Sequence, residues 1–255
     1  MSVSWFEQSE YSCRLEWGRR GAEAAARRGD IVVVVDTLSF STCAITALAY
    51  DGIIYPCATD EDPQAFANRV DAQVAVHRTQ ASSSHPFSLS PLTYIDMKPN
   101  TKVVLSSLNG ATCSRLAHQV PYVIVGALLN AKAVGEAVST WVSETNHAVT
   151  VLACGERWTE PHEDGPLRFA VEDYLGAGAI LSQMSLDKSP EAQVCQAAFE
   201  SVEQQIEYII WACGGAIELR ERGFEGDVIH AAKFNLFDVV PLLKDGKFIS
   251  WNQSE

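Results

Sequence analysis

Six side chains carry oxygen or nitrogen chemistry at places where an α/β chain can put an active site. Asp36 ends the run Ile31-Val32-Val33-Val34-Val35 and precedes Thr37-Leu38-Ser39-Phe40-Ser41-Thr42. An unbroken β-branched run has no polar face, so it suits a strand covered on both sides. Ligands of open α/β sheets bind outside the carboxyl ends of the strands. Asp36 is therefore a candidate metal ligand, base or nucleophile, and it is equally placed to cap the next helix. Arg78, Asn109 with Gly110, and Glu156 follow other apolar runs, while Glu172 and Asp173 open an apolar helical stretch. If these segments meet, their hard oxygens suit Mg²⁺, which takes one or two carboxylates, keeps several waters and binds phosphates. A phosphate can also rest on the helix N-termini expected near Ser41 and Ala111. The plainer reading of Glu172-Asp173 is a capping pair or a solvated helix face.

The elements that must position these groups alternate along the chain. A weakly alternating strand around Cys13 to Trp17 precedes a helix over Gly21–Arg28, with basic residues at its end and Gly29 as its stop. After the strand at 31–35 come a helix over about Ser41–Tyr50 and a strand at Ile53–Tyr55. Asp62-Pro63 starts a helix that runs to about Val70. Strands follow at 73–77, 102–105, 122–125 and 149–153, with helices over about 111–119 and 131–144 between them. Residues 79–100 form a long loop flanked by His77 and His85, and a loop of this length is often functional. Residues 154–166 are a second polar loop, followed by a helix over 166–184. Its small residues Gly176, Ala177 and Gly178 allow close backbone packing. The stretch 190–222 reads as two helices broken at Gly214-Gly215, and the tail to Trp251 packs through its apolar residues. This alternation predicts a layered α/β/α fold with a largely parallel or mixed sheet. The chain is one unit over 1–255, or two similar α/β halves dividing near residue 100.

Composition narrows the functional classes. The 255 residues are 47% hydrophobic and 20% charged, with 19 basic against 32 acidic residues for a net charge of −13. Such an excess of acid argues against nucleic acid and against anionic membranes, both of which need basic patches. It permits an anionic substrate only through a local device: a metal ion, an Arg or a helix N-terminus. Residues 1–30 hold no apolar segment of the signal-peptide type, and no run approaches the length of a membrane span. Seven scattered cysteines, without C-x-x-C or Cys/His clusters, point to buried thiols in a cytoplasmic protein rather than to zinc or disulfides. The phosphate loop, dinucleotide and nucleophile-elbow motifs are all missing. The strand ending in Asp36 resembles the haloacid-dehalogenase phosphatases, but the second acid expected two residues on is Leu38.

Taken together, residues 14–244 resemble the 2-phosphosulfolactate phosphatase (ComB-like) family. The similarity runs through Val35-Asp36 to Ser41-Thr42, Val76-His77-Arg78, Leu89-Ser90-Pro91, Ser107-Leu108-Asn109-Gly110-Ala111, Leu129-Asn130-Ala131, Cys154-Gly155-Glu156 and Glu172-Asp173. The resemblance implies a ComB-like fold, Mg²⁺-dependent hydrolysis of a small phosphorylated, sulfonated hydroxy acid, and a place in coenzyme M biosynthesis. Carried onto this chain, it implies Asp36, Glu172 and Asp173 as catalytic residues, with Asp36, Glu156 and Asp173 as metal ligands. The substrate would meet Ser39, Ser41, Thr42, Arg78, Asn109 and Gly110. The oligomeric state stays open, a homo-oligomer included. Ser39, His77 and Leu89 stand where the family has Arg, Glu and Asn. Losing an Arg fork weakens anion binding. A second reading is therefore a non-catalytic or substrate-diverged paralogue that binds a small anion or a partner protein.

Overall fold

The computed structural model describes residues 5–251, and its centre is a nine-stranded sheet. One parallel block contains β1 (Cys13–Trp17), β7 (Val149–Ala153), β2 (Ile31–Val35) and β6 (Val123–Gly126), in that spatial order. A second parallel block contains β3 (Ile53–Cys57), β5 (Lys102–Ser106) and β4 (Gln73–Val74). Between them lies the hairpin β10 (Pro241–Lys244) and β11 (Lys247–Ser250), antiparallel to β6 on one side and to β3 on the other. The sheet is mixed and mostly parallel, as the alternation of elements predicts.

β2 shows why its sequence is continuously apolar. All five residues are buried, and they face opposite ways: Ile31, Val33 and Val35 join one core, Val32 and Val34 the other. The first core is closed by α5 (Ala131–Thr145), α6 (Val171–Ser182) and α7 (Pro190–Val202); the second by α1 (Gly18–Arg28), α2 (Phe40–Ala49) and α4 (Gly110–Leu116). This is the α/β/α layering. The small residues of α6 act as expected. A Cβ on Gly176 would lie 2.5 Å from Thr37 Oγ1, and one on Gly178 would lie 2.5 Å from the Cys195 carbonyl of α7. The seven cysteines are all free and buried. No helix among the described residues is long and apolar enough to cross a membrane.

Three segments differ from their sequence-based expectation. Residues 154–166 are a hairpin, not a loop: β8 (Glu156–His162) pairs with β9 (Gly165–Arg168), and the following helix starts only at Val171. Nearly every residue of this hairpin is exposed, so no apolar alternation marks it. The stretch 190–222 breaks twice. After α7 a single tight turn at Glu203–Gln205 leads to α8 (Ile206–Ala212), and α9 (Gly214–Glu221) starts at the expected glycine pair. The tail supplies α10 (Glu225–Ala231) and the two central antiparallel strands.

At the amino end of β2 a buried ionic network fixes four elements. Asp30 accepts from Arg14 Nη1 at 2.6 Å, from Arg28 Nε at 2.9 Å and from Thr150 Oγ1 at 2.6 Å. Removing one member of a buried pair leaves the other charge uncompensated, so Asp30→Ala should cost about 3–5 kcal/mol in urea unfolding. A loss under about 1 kcal/mol would show that these pairs do not brace β2. On α10, His230 Nε2 lies 2.9 Å from Thr46 Oγ1, whose hydroxyl donates to the Thr42 carbonyl at 2.7 Å. Thr46 must then accept, which fixes the neutral tautomer with its proton on Nε2. Burial, aided by Lys233, lowers the His230 pKa from 6.5 to about 4. Between those values the unfolded chain binds the extra proton, so this stability term is complete above pH 6.5 and is lost as pH falls toward 4. The slope approaches about 1.4 kcal/mol per pH unit. His230→Gln should flatten that limb of the unfolding profile, and an unchanged limb would contradict the assignment.

Candidate active site

The ends of β2, β5 and β7 and the start of α6 surround a pocket of ≈ 630 Å³. Asp36, Arg78, Asn109, Glu156, Glu172 and Asp173 all line it, as does Ser39. The six side chains singled out in the sequence are thus brought together, although they span 138 positions (173 minus 36, plus one).

Asp36 is 8% exposed. Its Oδ2 accepts from the Gly110 amide at 2.9 Å and from Ser107 Oγ at 3.2 Å. Its Oδ1 has only a long 3.4 Å contact from the Phe40 amide at the start of α2. Asp36 therefore both braces two helix starts and leaves one oxygen loosely held. Burial raises its pKa, opposed in part by the Gly110 and Phe40 amides, the Ser107 hydroxyl and the Arg78 charge.

Glu172 and Asp173 form neither a solvated face nor a simple cap; they are 7% and 4% exposed. Asp173 Oδ1 accepts from the Thr37 amide at 2.7 Å and Oδ2 from the Gly155 amide at 2.9 Å. It clamps the ends of β2 and β7 to α6. Gly155 makes this turn with φ +69°, where a Cβ would meet the Leu167 side chain at 2.7 Å. Glu172 approaches α9 so closely that a Cβ on Gly215 would lie 2.5 Å from its Oε1. Glu156, at the base of the exposed hairpin, accepts from Asn109 Nδ2 at 3.1 Å. Partial burial, with the charges of Asp36, Glu172 and Glu218, pushes its pKa up to about 7; solvent at the pocket mouth limits this effect. Burial raises Glu172, and raises Asp173 well above the carboxylate range with the charges of Asp36 and Glu172 adding to it.

Ser41, Thr42 and Gly110 stand apart from the other expected residues. Ser41 Oγ receives the Asp36 amide at 2.9 Å and donates to the Val34 carbonyl at 3.2 Å, while Thr42 Oγ1 donates to the Thr37 carbonyl at 2.5 Å. The Gly110 amide is spent on Asp36. All three are buried and shape the loop rather than line the pocket. Arg78 donates through Nη2 to the Leu38 carbonyl and to Ser39 Oγ, both at 3.2 Å, and through Nε to Asp227 at 2.9 Å. Asp227 and Glu218 escaped the sequence reading, each inside a short helix without a spacing signal, while Ser107 and Gly215 were read only as part of a turn and of a helix break.

Four acids beside one guanidinium can attract a cation and, through it, an anion. Residues 20–246 match the family described as 2-phosphosulpholactate phosphatase. A "Probable 2-phosphosulfolactate phosphatase" of Carboxydothermus hydrogenoformans is 29% identical over 86% of this chain and 89% of its own length. Another from Thermotoga petrophila is 30% identical over 85% and 90%. The "2-phosphosulfolactate phosphatase" of Methanocaldococcus jannaschii is 24% identical over 86% and 91%. With seven of the nine strands of its sheet inside the matched region and an acid-lined pocket at the strand ends, the chain belongs to the 2-phosphosulfolactate phosphatase family, a family of phosphomonoester hydrolases.

Proposed function

We propose that this chain is a Mg²⁺-dependent phosphatase acting on a small phosphomonoester that carries a second anionic group, as 2-phosphosulfolactate does. The observation that carries the reading is the convergence of Asp36, Glu156, Glu172 and Asp173 with Arg78 in one pocket. The donor set fits the ion: every candidate is a hard carboxylate oxygen, and burial raises their pKa values, with repulsion from neighbouring acids adding to it at Glu156, Glu172 and Asp173. Among the described residues no group of three or more His, Cys, Asp or Glu side chains is placed to hold a metal ion, so an ion here would take at most two protein carboxylates and draw its other ligands from water and substrate. Asp36 through Oδ1, together with Glu156, would hold it, and when bound it supplies charge neutralisation for a phosphoryl oxygen.

The protein's own groups do the rest. Asp173, with both oxygens on backbone amides, braces the strand ends. Asn109 fixes Glu156 by its hydrogen bond. Glu172 faces the same space and is the group placed to take a proton from an attacking water. Arg78 keeps Nη1 free of protein hydrogen bonds among the described residues and presents it to the phosphate. One observation favours a diverged substrate over 2-phosphosulfolactate itself. Ser39, which stands at the place of the family's Arg, is bonded to Arg78, so one guanidinium serves where two would stand.

Phosphate release from 2-phosphosulfolactate and a panel of other phosphomonoesters tests both readings. Turnover should need Mg²⁺ and stop with EDTA, and Asp36→Asn should lower kcat/KM by about 10² or more. A folded protein that releases no phosphate from any member would sink the enzyme. Full activity in EDTA would remove the metal. A preference for another ester would identify the diverged substrate.

A further inference from the structure

We infer that Asp227, on α10 and 149 residues from Arg78 in sequence, is the positioning residue that aims the Arg78 guanidinium at the substrate's negative group. The inference rests on the phosphatase reading of the pocket. Asp227 is 1% exposed and does not line the pocket. Its Oδ2 takes Arg78 Nε at 2.9 Å, and its Oδ1 takes Ser90 Oγ at 2.5 Å. The Ser90 amide is in turn held by Ser88 Oγ at 3.1 Å, so the carboxylate is locked to the loop as well as to its helix.

The geometry assigns each guanidinium nitrogen a different task. Nε is committed to Asp227. Nη2 is committed to the Leu38 carbonyl and Ser39 Oγ, on the turn that follows Asp36. The ring of Phe224, three residues before Asp227, lies 5.9 Å from the guanidinium carbon. With Nε and Nη2 committed and one face covered, Nη1 alone has no protein hydrogen bond among the described residues, and Arg78 lines the pocket, so Nη1 is the nitrogen left for an anion there. A surface ion pair would leave the side chain several rotamers, but this one is nine-tenths buried at Arg78 and nearly fully buried at Asp227. The guanidinium is also close enough to Asp36 for its charge to oppose, as the smallest of several causes, the rise in pKa that burial imposes there. Asp227 thus sets the aim of an anion-binding arm without touching the anion.

The test is a double-mutant cycle read by binding and by turnover. Kd for inorganic phosphate, measured by calorimetry with Mg²⁺ present, and kcat and KM on 2-phosphosulfolactate are determined for the wild type, Asp227→Ala, Asp227→Asn, Arg78→Ala and the Asp227→Ala/Arg78→Ala double variant. Asp227→Ala should raise Kd and KM about tenfold, the worth of one charge-assisted bond. Asp227→Asn, which keeps an acceptor oxygen, should recover part of the loss. If Asp227 acts through Arg78, adding Asp227→Ala to Arg78→Ala costs nothing further. Losses that simply add, or a wild-type Kd in Asp227→Ala, overturn the proposal and leave a structural ion pair. Should Asp227→Ala not fold, Asp227→Asn decides, because an unaltered Kd there also overturns it. A wild type that binds phosphate without hydrolysing 2-phosphosulfolactate or any other ester of the panel defeats the phosphatase reading alone, and the Kd cycle still judges Asp227. A folded wild type that binds no phosphate defeats the anion-binding role.

Discussion

Four carboxylates crowded at the ends of three strands are the constraint on which the rest of this structure turns. Withdrawn from water, each carboxylate holds its proton more tightly, and repulsion between neighbours adds to this at Glu156, Glu172 and Asp173. The fold tolerates them by giving them backbone partners. Asp173 takes the Thr37 and Gly155 amides, and Asp36 takes the Gly110 amide. These are the groups that a strand or helix end leaves unpaired. Asp36 and Asp173 therefore do structural service in joining β2, β7, α4 and α6, and Asp36 keeps only Oδ1 loosely held beside the pocket. A stable apolar pocket would have been simpler to build, and the persistence of so much unfavourable charge is what marks a functional site.

The way the pocket forms differs from the simplest sheet argument. In a wholly parallel sheet, polar turns after successive strands share one edge. Here three antiparallel pairings intervene between β6 and β3, so the two parallel blocks run in opposed directions along the sheet. Strand twist of about 20–25° per pair, accumulated over the five steps from β2 to β5, turns that opposition toward a crossing. The turn Ser107 to Gly110 can then reach Asp36. The residues meet as the polar-turn pattern suggests, through a route that pattern does not contain.

Much of the architecture was legible because it follows from periodicity. β2 is apolar throughout and buried throughout, and the α6 glycines face neighbours too near for a side chain. The two hairpins were missed although each carries a short signal. Glu163-Asp164 joins β8 to β9, which opens on Gly165, and Asp245-Gly246 joins β10 to β11. Asp245 has φ 52° and Gly246 φ 77°, the left-handed pair of a tight hairpin turn. In β8 and β9 exposure hid the alternation; in the tail, packing of aromatic residues masked two strands as a mere covering. Asp36, Arg78, Asn109 and the later acids were visible as polar residues after apolar runs. Asp227 was not. It lies inside a short helix, and its value comes from an arginine far away in the sequence, a relation no local spacing records.

The insertion of β10 and β11 between the two parallel blocks has a consequence for how the molecule is made. These residues, 241–250, are the last strands in chain order, yet they occupy the fifth and sixth places of nine. Until they emerge from the ribosome, β6 and β3 each present an open edge, with bonding groups ready to recruit a neighbour. From the completion of β6 at Gly126 until residues 241–250 are made, the nascent chain carries two unsealed half-sheets, and the hairpin then closes both edges together.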